Sequence, residues 1–314
     1  MDMSYSPSQC KDMLAVALAR AGVARWGVAA AEAIDEAEVA RYRRWIEQGC
    51  NGEMTYLSRY EDVRADTRLL LEGARSVISC AFPYHYGHTG LAVASYALGR
   101  DYHKVVGARL RGVARDMAAT YGGLWRVAVD TAPLRERILA RQAGVGFIGR
   151  NNLLIVPGIG SYVFLGEIIT TISIPPDTPC TLTCLDCGAC VDACPGGALE
   201  ADGMFDARRC LSYLTIECRD NTLPPSTRLD GSIYGCDRCQ TVCPHNSGVP
   251  YSTIPDFLPR HEVMALTPHN VLELTPERYD LITRGSAMRR ATLDMLVRNA
   301  SHASSPDTLN DSNK

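Results

Sequence analysis

Eight of the thirteen cysteines carry the strongest chemical signal in the chain. Cys184, Cys187, Cys190 and Cys194 follow the spacing C-x2-C-x2-C-x3-C, and Pro195 comes next. Cys236, Cys239 and Cys243 follow C-x2-C-x3-C, and Pro244 comes next. In runs of the first kind three thiolates hold one [4Fe–4S] cube and the fourth reaches a second cube. The second run is one cysteine short, and Cys210, lying between the runs, supplies it. The ligand count then closes. Cys184, Cys187, Cys190 and Cys243 hold cluster one; Cys194, Cys210, Cys236 and Cys239 hold cluster two. Zinc knuckles or disulfides are the rival explanation, but zinc favours well-separated C-x2-C pairs without crossed C-P endings.

Those cysteines must be positioned by the segments around them. Pro175 to Cys180 reads as a proline-rich linker, so a boundary falls there. Residues 1–174 then form an α/β domain, 175–250 a two-cluster α+β domain, 251–300 a helical extension and 301–314 a disordered polar tail. In the first domain, helices are expected over Ser8–Ala21, Asp35–Gln48, a stretch ending near Tyr121, and Leu134–Gln142. Val39, Tyr42 and Trp45 are the expected buried stripe of the second. Strands are expected over Val23–Ala29, Ala74–Pro83 and Trp125–Val129. A strand hairpin is expected from Leu153–Val156 and Ser161–Ile174 around Pro157-Gly158-Ile159-Gly160. Beyond the cysteines, Thr275 should open a helix and Ala287–Val297 should form an amphipathic one. Asp130 stands at the end of a strand, where ligand-facing residues collect, although an aspartate before Thr131 and Pro133 also reads as a helix N-cap. His103 reads as a capping or packing residue, or as an acid or ligand.

The bulk properties narrow the class. The 314 residues are 46% hydrophobic and 21% charged, with a net charge of −3, as in ordinary globular enzymes. No global basic field draws in nucleic acid, so an RNA partner must meet a local patch. The remaining five cysteines, Cys10, Cys50, Cys80, Cys180 and Cys218, are odd in number and scattered. That argues for a reducing cytoplasm over a secreted disulfide scaffold. No export signal and no bilayer-spanning apolar run is read.

Several motifs resemble epoxyqueuosine reductase. They are Ser79–Pro83, Gly99-Arg-Asp-Tyr-His103, Val129-Asp130-Thr131-Ala-Pro and Ala143-Gly-Val-Gly-Phe-Ile-Gly-Arg-Asn151. Gly160–Glu167, Arg209–Thr215 and Tyr234–Gln240 continue the likeness, which runs from about Gly22 to about Asn246. The resemblance implies a nitroreductase-like α/β sandwich that binds cobalamin, followed by a bacterial ferredoxin-like lobe with two [4Fe–4S] clusters. The implied reaction is reduction of epoxyqueuosine to queuosine at the wobble position of tRNA. Implied partners are a tRNA anticodon stem-loop and an electron donor such as a flavodoxin, ferredoxin or reductase. No membrane is involved, and a monomer is expected.

The resemblance also assigns residues. Asp130 matches the family's general acid, a role that asks for a carboxyl pKa raised by burial. Arg64, Ala94, Asp130, Arg135, Leu154, Ser161, Leu165 and Ser212 fall at or near cobalamin-contacting positions. Longer members end in a helical-repeat domain that grips tRNA, whereas one or two helices are expected after the clusters here. Arg100, Lys104, Arg137, Arg141, Arg150 and Arg289-Arg290 are then candidates for phosphate contacts. Two rival functions are a cobalamin-dependent reductive dehalogenase, which is typically exported through a twin-arginine signal, and a ferredoxin-type carrier. The carrier reading leaves the N-terminal lobe without a purpose.

Overall fold

The computed structural model describes residues 6–87, 90–200 and 203–304. In chain order the helices and strands of the first lobe are α1 (Pro7–Arg20), β1 (Arg25–Ala30), α2 (Glu36–Glu47), α3 (Glu61–Ala65) and β2 (Ser76–Pro83). They continue with α4 (Tyr102–Tyr121), β3 (Trp125–Ala128), α5 (Glu136–Gln142), β4 (Phe147–Ile148), β5 (Leu154–Ile155) and β6 (Val163–Thr170). Side chains fix the helix starts. Ser6 and Gln9 form a capping box at α1, Asp35 caps α2, and Asp101 caps α4 through the His103 N–H.

Four strands make an antiparallel sheet in the order β1-β2-β6-β3. β2 and β6 lie in the middle and are buried on both faces, apolar except for Ser76, Ser79, Glu167 and Thr170. Ile78, Cys80, Phe82, Phe164 and Ile168 meet Leu14 and Leu18 of α1 and Val106, Leu110 and Met117 of α4. Val77, Ala81 and Ile169 turn to the other face, where Leu139 and Ala140 of α5 cover them. Each such side chain contributes about 1.5–3 kcal/mol by leaving water. Two glycines permit the close approach. A Cβ on Gly27 would lie 1.8 Å from the Ala143 carbonyl oxygen, and one on Gly166 would lie 2.7 Å from Leu110.

The expected strands at β1, β2 and β3 stand, and so do the four helices. The expected hairpin does not form. β5 pairs with β4, a strand hidden in the glycine run, while β6 enters the main sheet between β2 and β3. Only the Val156–Gly160 bridge closes the turn. With both faces of β6 largely apolar, the centre of the sheet buries it better than a two-stranded edge. On α2 only Val39 is buried. Tyr42 and Trp45 stay half-buried because each bonds across a seam, to Leu57 O and Phe205 O.

The rest of the chain adds α6 (Ala189–Asp192), α7 (Leu211–Ile216), α8 (Arg238–Thr241), α9 (His261–Met264), α10 (Pro268–Val271), α11 (Pro276–Thr283) and α12 (Leu293–Ala303). Thr275 caps α11 as expected. Ala287–Val297 is not one helix: Ala287–Arg290 is a 3-10 turn, and Thr292 caps α12 afresh. Residues 301–303 are helical, against expectation, while 305–314 lie outside the described residues. The extension thus has more helices than expected, and it is not free-standing. Val263, Ile282, Met288 and Leu296 share a core with Val93 and Leu98 of the first lobe and Ile233 and Tyr234 of the cluster segment. Among the described residues no helix is long and apolar enough to cross a membrane.

Asn299 on α12 is fully buried and donates to Thr215 O and Ile233 O, tying the extension beneath the cluster segment. Asn299→Ala strands two buried carbonyls, a loss of roughly 1–3 kcal/mol. Calorimetry should find Tm lowered by roughly 3–8 °C; an unchanged Tm would show that the tie is dispensable.

Candidate functional site

The eight cysteines gather in two neighbourhoods. Cys184, Cys187, Cys190 and Cys243 line one cavity together with Arg150, Asn151 and His245. Cys194, Cys210, Cys236 and Cys239 are each other's electrostatic neighbours: Cys239 feels the other three, and burial pushes Cys236 up to about 11. Loops rather than long helices carry these residues, so backbone amides are free to meet sulfur. Ala198 N–H donates to Cys194 Sγ at 3.2 Å, Cys210 receives the amides of Ser212 and Tyr213, and Cys243 those of His245 and Asn246. His245 Nε2 is buried at the first cavity without a partner, a donor available to a cluster sulfide.

The spacing of the sulfurs argues against zinc. Ligands of one tetrahedral zinc sit about 3.8 Å apart, given Zn–S bonds of about 2.3 Å. Among the described residues one trio of possible ligand atoms converges within 4.8 Å, Glu53, Cys218 and Asp220, and it contains none of the eight. Thiols that gather in fours yet stand further apart fit a cube whose corners they hold. The residues present fit two [4Fe–4S] clusters.

The two sets differ in exposure. Cys187 is open to solvent, with Leu182 and Leu185 exposed beside it. The second set lies deeper, and Cys239 stands close enough to Tyr84 and Tyr162 of the first lobe to raise their hydroxyl pKa values further, on top of burial.

Asp130 sits just past β3 with φ +54, and its side chain is 54% exposed. It is not a helix cap, because Arg135 occupies that position on α5. Its Oδ2 accepts from Tyr102 Oη at 3.0 Å and lies 2.9 Å from His103 Nε2. The other ring nitrogen of His103 lies 2.7 Å from Asp101 Oδ1. Burial alone would lower the His103 pKa, but the two carboxylates outweigh it and push it up to about 9. The expectation of a raised Asp130 pKa is overturned. Burial pushes it up, but His103, Tyr102 and the Arg290 charge pull it below the usual carboxylate value. The proton of this pair therefore rests on imidazole.

The expected cobalamin contacts fall in separate places. Arg64 donates to Arg59 O and Tyr56 O, and Arg135 lies over Tyr42 with its Nη1 buried and without an acceptor. Arg64 and Arg135 both act on Tyr42, so they share one donor-rich corner. An amide oxygen or phosphate of a cofactor's side chains is the partner this corner lacks. Leu154 and Leu165 pack together against Ala81 and Ala143. Ala94 is buried with its N–H on Tyr234 O. Ser161 spends its amide and hydroxyl on Asn246 and Gln240, clamping the first lobe to the cluster segment. Ser212 stands at Cys210.

Most candidate phosphate-binding cations already have partners within the chain. Arg100 pairs with Asp256, Arg141 with Glu38, Arg150 with Asp186, Arg289 with Asp280 and Arg290 with Glu217, while Arg137 bonds Asn152 O. Lys104 is exposed.

Two sets of four thiols mark the class as two-cluster iron–sulfur proteins. Comparison narrows the class. The family described as "4Fe-4S double cluster binding domain" matches residues 183–246, and "Epoxyqueuosine reductase QueG, DUF1730" matches residues 64–131. The epoxyqueuosine reductase of Gloeobacter violaceus is 39% identical over 294 residues, 90% of this chain and 92% of its own. A crystal structure of epoxyqueuosine reductase with an epoxyqueuosine-modified tRNA-Tyr stem loop superposes with TM-score 0.83 at 28% identity, over 95% of this chain and 81% of that one. The Bacillus subtilis enzyme, with its catalytic aspartate loop swung out of the active site, superposes at 0.82 and 28%, over 95% and 82%. The chain belongs to the epoxyqueuosine reductase family.

The His103 pKa lies above its ordinary value of 6.5. The stability of the ion pair is therefore fully present below pH 6.5 and lost as pH rises through about 9. The Tm difference between the protein and His103→Gln should shrink as pH is raised from about 6 to about 10. A difference that grows over that range would contradict the assignment.

Proposed function

We propose that this protein reduces epoxyqueuosine to queuosine in tRNA, using cobalamin and electrons from two [4Fe–4S] clusters. One observation carries the reading: the two four-cysteine sets and the Asp130–His103 pair belong to a chain that aligns with epoxyqueuosine reductases along most of its length. The overall change takes two electrons and two protons. The epoxide C–O bonds break, a carbon–carbon double bond forms and the oxygen leaves as water.

Cobalamin, when bound, supplies a metal-centred nucleophile for an epoxide carbon. Arg64 and Arg135 would hold its polar side chains, Leu154 and Leu165 its apolar edge, and Ala94, Ser161 and Ser212 would line the seam. Residues 1–174 serve this cofactor, 175–250 the clusters, and 251–300 buttress the junction. Electrons enter at the set containing the exposed Cys187 and leave through the deeper set near Tyr84 and Tyr162. A one-electron donor from a reducing cytoplasm fits that entry, and the chain acts as a monomer.

Asp130 delivers a proton to the departing oxygen. It does so as the outlet of a pair rather than as an isolated buried acid. His103 holds the proton, Nε2 passes it to Asp130 Oδ2, and Asp101 steadies the ring from Nδ1. Tyr102 donates to the same oxygen, so Oδ2 is the atom at which the proton arrives and from which it is passed to the departing oxygen.

The test is anaerobic turnover of an epoxyqueuosine-bearing anticodon stem-loop with cobalamin and a chemical reductant. The protein should form queuosine, and Asp130→Asn should be slower by roughly 10²–10⁴-fold with unchanged iron and cobalamin content. A fully loaded protein that leaves the stem-loop unconverted overturns the reading.

A further inference from the structure

Beneath the Asp130 turn lie two carboxyl groups that the proposed chemistry does not use. Glu136, at the start of α5, accepts the Asp130 N–H through Oε1 at 2.6 Å. Glu167, in the centre of β6, is 0% exposed, and neither of its carboxyl oxygens meets an N–H or O–H donor. Besides burial, the group that acts on Glu167 is the Glu136 carboxyl, whose charge raises its pKa further. Two ionised carboxylates cannot hydrogen-bond each other, and a buried lone carboxylate without a donor is costly. One proton between them resolves both difficulties.

Asp130 needs such support. Its φ of +54 is a conformation that non-glycine residues adopt at a cost and keep where their surroundings impose it. The Glu136 carboxylate fixes the backbone amide of Asp130, while Tyr102 and His103 fix its side chain. The other groups acting on the carboxyl pair are Arg137 on α5 and Tyr102 on α4, with Cys80 of β2 feeling the Glu167 charge from the opposite face of the sheet. None supplies the missing donor. Ser79, the cross-strand partner of Glu167, has a buried hydroxyl that also makes no bond.

We propose that Glu136 is the positioning residue for Asp130, acting as a latch on its backbone amide, and that Glu167 keeps the latch set by sharing one proton with it. The proposal rests on the reading of Asp130 as proton donor, and it adds how this chain holds the loop that displaces in the Bacillus subtilis relative. Protonated Glu167 donates to Glu136, Glu136 accepts the Asp130 amide, and the turn stays in the cleft. Burial and the Asp130 charge both raise the Glu136 pKa, which favours keeping that proton.

The experiment uses the iron-loaded full chain and three variants. Glu136→Ala removes the latch. Glu136→Gln keeps an oxygen for the Asp130 amide and an N–H for Glu167. Glu167→Gln keeps a donor for Glu136. Hydrogen exchange over residues 129–135, read without substrate, should quicken about tenfold in Glu136→Ala and match the parent in both glutamine variants. Infrared difference spectra of the parent against each glutamine variant should show a protonated carboxyl stretch that shifts in D2O. On the stem-loop, kcat should fall by on the order of 10²-fold in Glu136→Ala with KM held, and Glu136→Gln should restore it. Absence of the carboxyl band overturns the shared proton. Exchange in Glu136→Gln as fast as in Glu136→Ala, or unchanged exchange in Glu136→Ala, overturns the latch. If Glu136→Ala does not fold, the band and the two glutamine variants decide. Exchange and infrared readings need no turnover, so a failure of the epoxide reaction leaves them to be judged alone.

Discussion

Four sulfurs must surround each of two iron cubes, and the rest of the structure answers to that constraint. The ligands come from loops at 184–194, 210 and 236–243, and the sets cross. Cys243 closes the cavity of the first run, while Cys194 leaves its own run for the second set. Crossing makes the cluster segment one cooperative unit, since neither cube can form from a single loop. It also explains why the segment is held from outside. Ser161 clamps Asn246 and Gln240, Asn299 anchors Thr215 and Ile233, and Ala94 pairs with Tyr234. A chain so short of regular secondary structure between 175 and 250 gains its order from metal–thiolate bonds and from its neighbours.

In the proposed reaction the first lobe contributes proton chemistry to this electron chemistry. Its sheet supplies rigid strand ends, and the turn after β3 brings Asp130 against the first turn of α4. The acid is distributed. Asp101 and Asp130 bracket one imidazole and keep it charged, so the proton is stored where two negative charges stabilise it, and in the proposed reaction it leaves through the exposed Asp130 carboxylate. This arrangement operates below about pH 9 and does not need the carboxyl itself to remain protonated.

What could be read from the sequence follows what is local in the chain. Cluster ligation is written as spacing within two short runs, so a double-cluster segment is legible before any coordinates, and the crossed assignment of the eight cysteines can be proposed from it. Caps and apolar periodicity give α1 and α2 almost to the residue, together with the end of α4 and the start of α11. The break at Thr292 is local, but the misreadings that bear on the site are tertiary. β6 was paired with β5 because the two are adjacent in sequence, yet its two largely apolar faces belong in the centre of a sheet. Asp130 was legible as a position through family likeness, but its protonation was not, because that depends on His103 being 27 residues earlier and on the opposite wall. Tyr102 stood beside a histidine that had been singled out, a usable signal that was passed over. Glu136 and Glu167 had none: a glutamate in an apolar strand becomes informative only once its burial and its missing donor are seen.

The central claim is that the sulfur sets cross. Its most direct measurement is iron content with electron paramagnetic resonance on anaerobically prepared parent and Cys194→Ala. The account predicts about eight irons in the parent and loss of the deeper cluster in the variant, with the cluster held by Cys184, Cys187, Cys190 and Cys243 retained. If Cys194→Ala instead abolishes that first cluster and leaves the deeper one intact, the assignment on which this account stands is wrong.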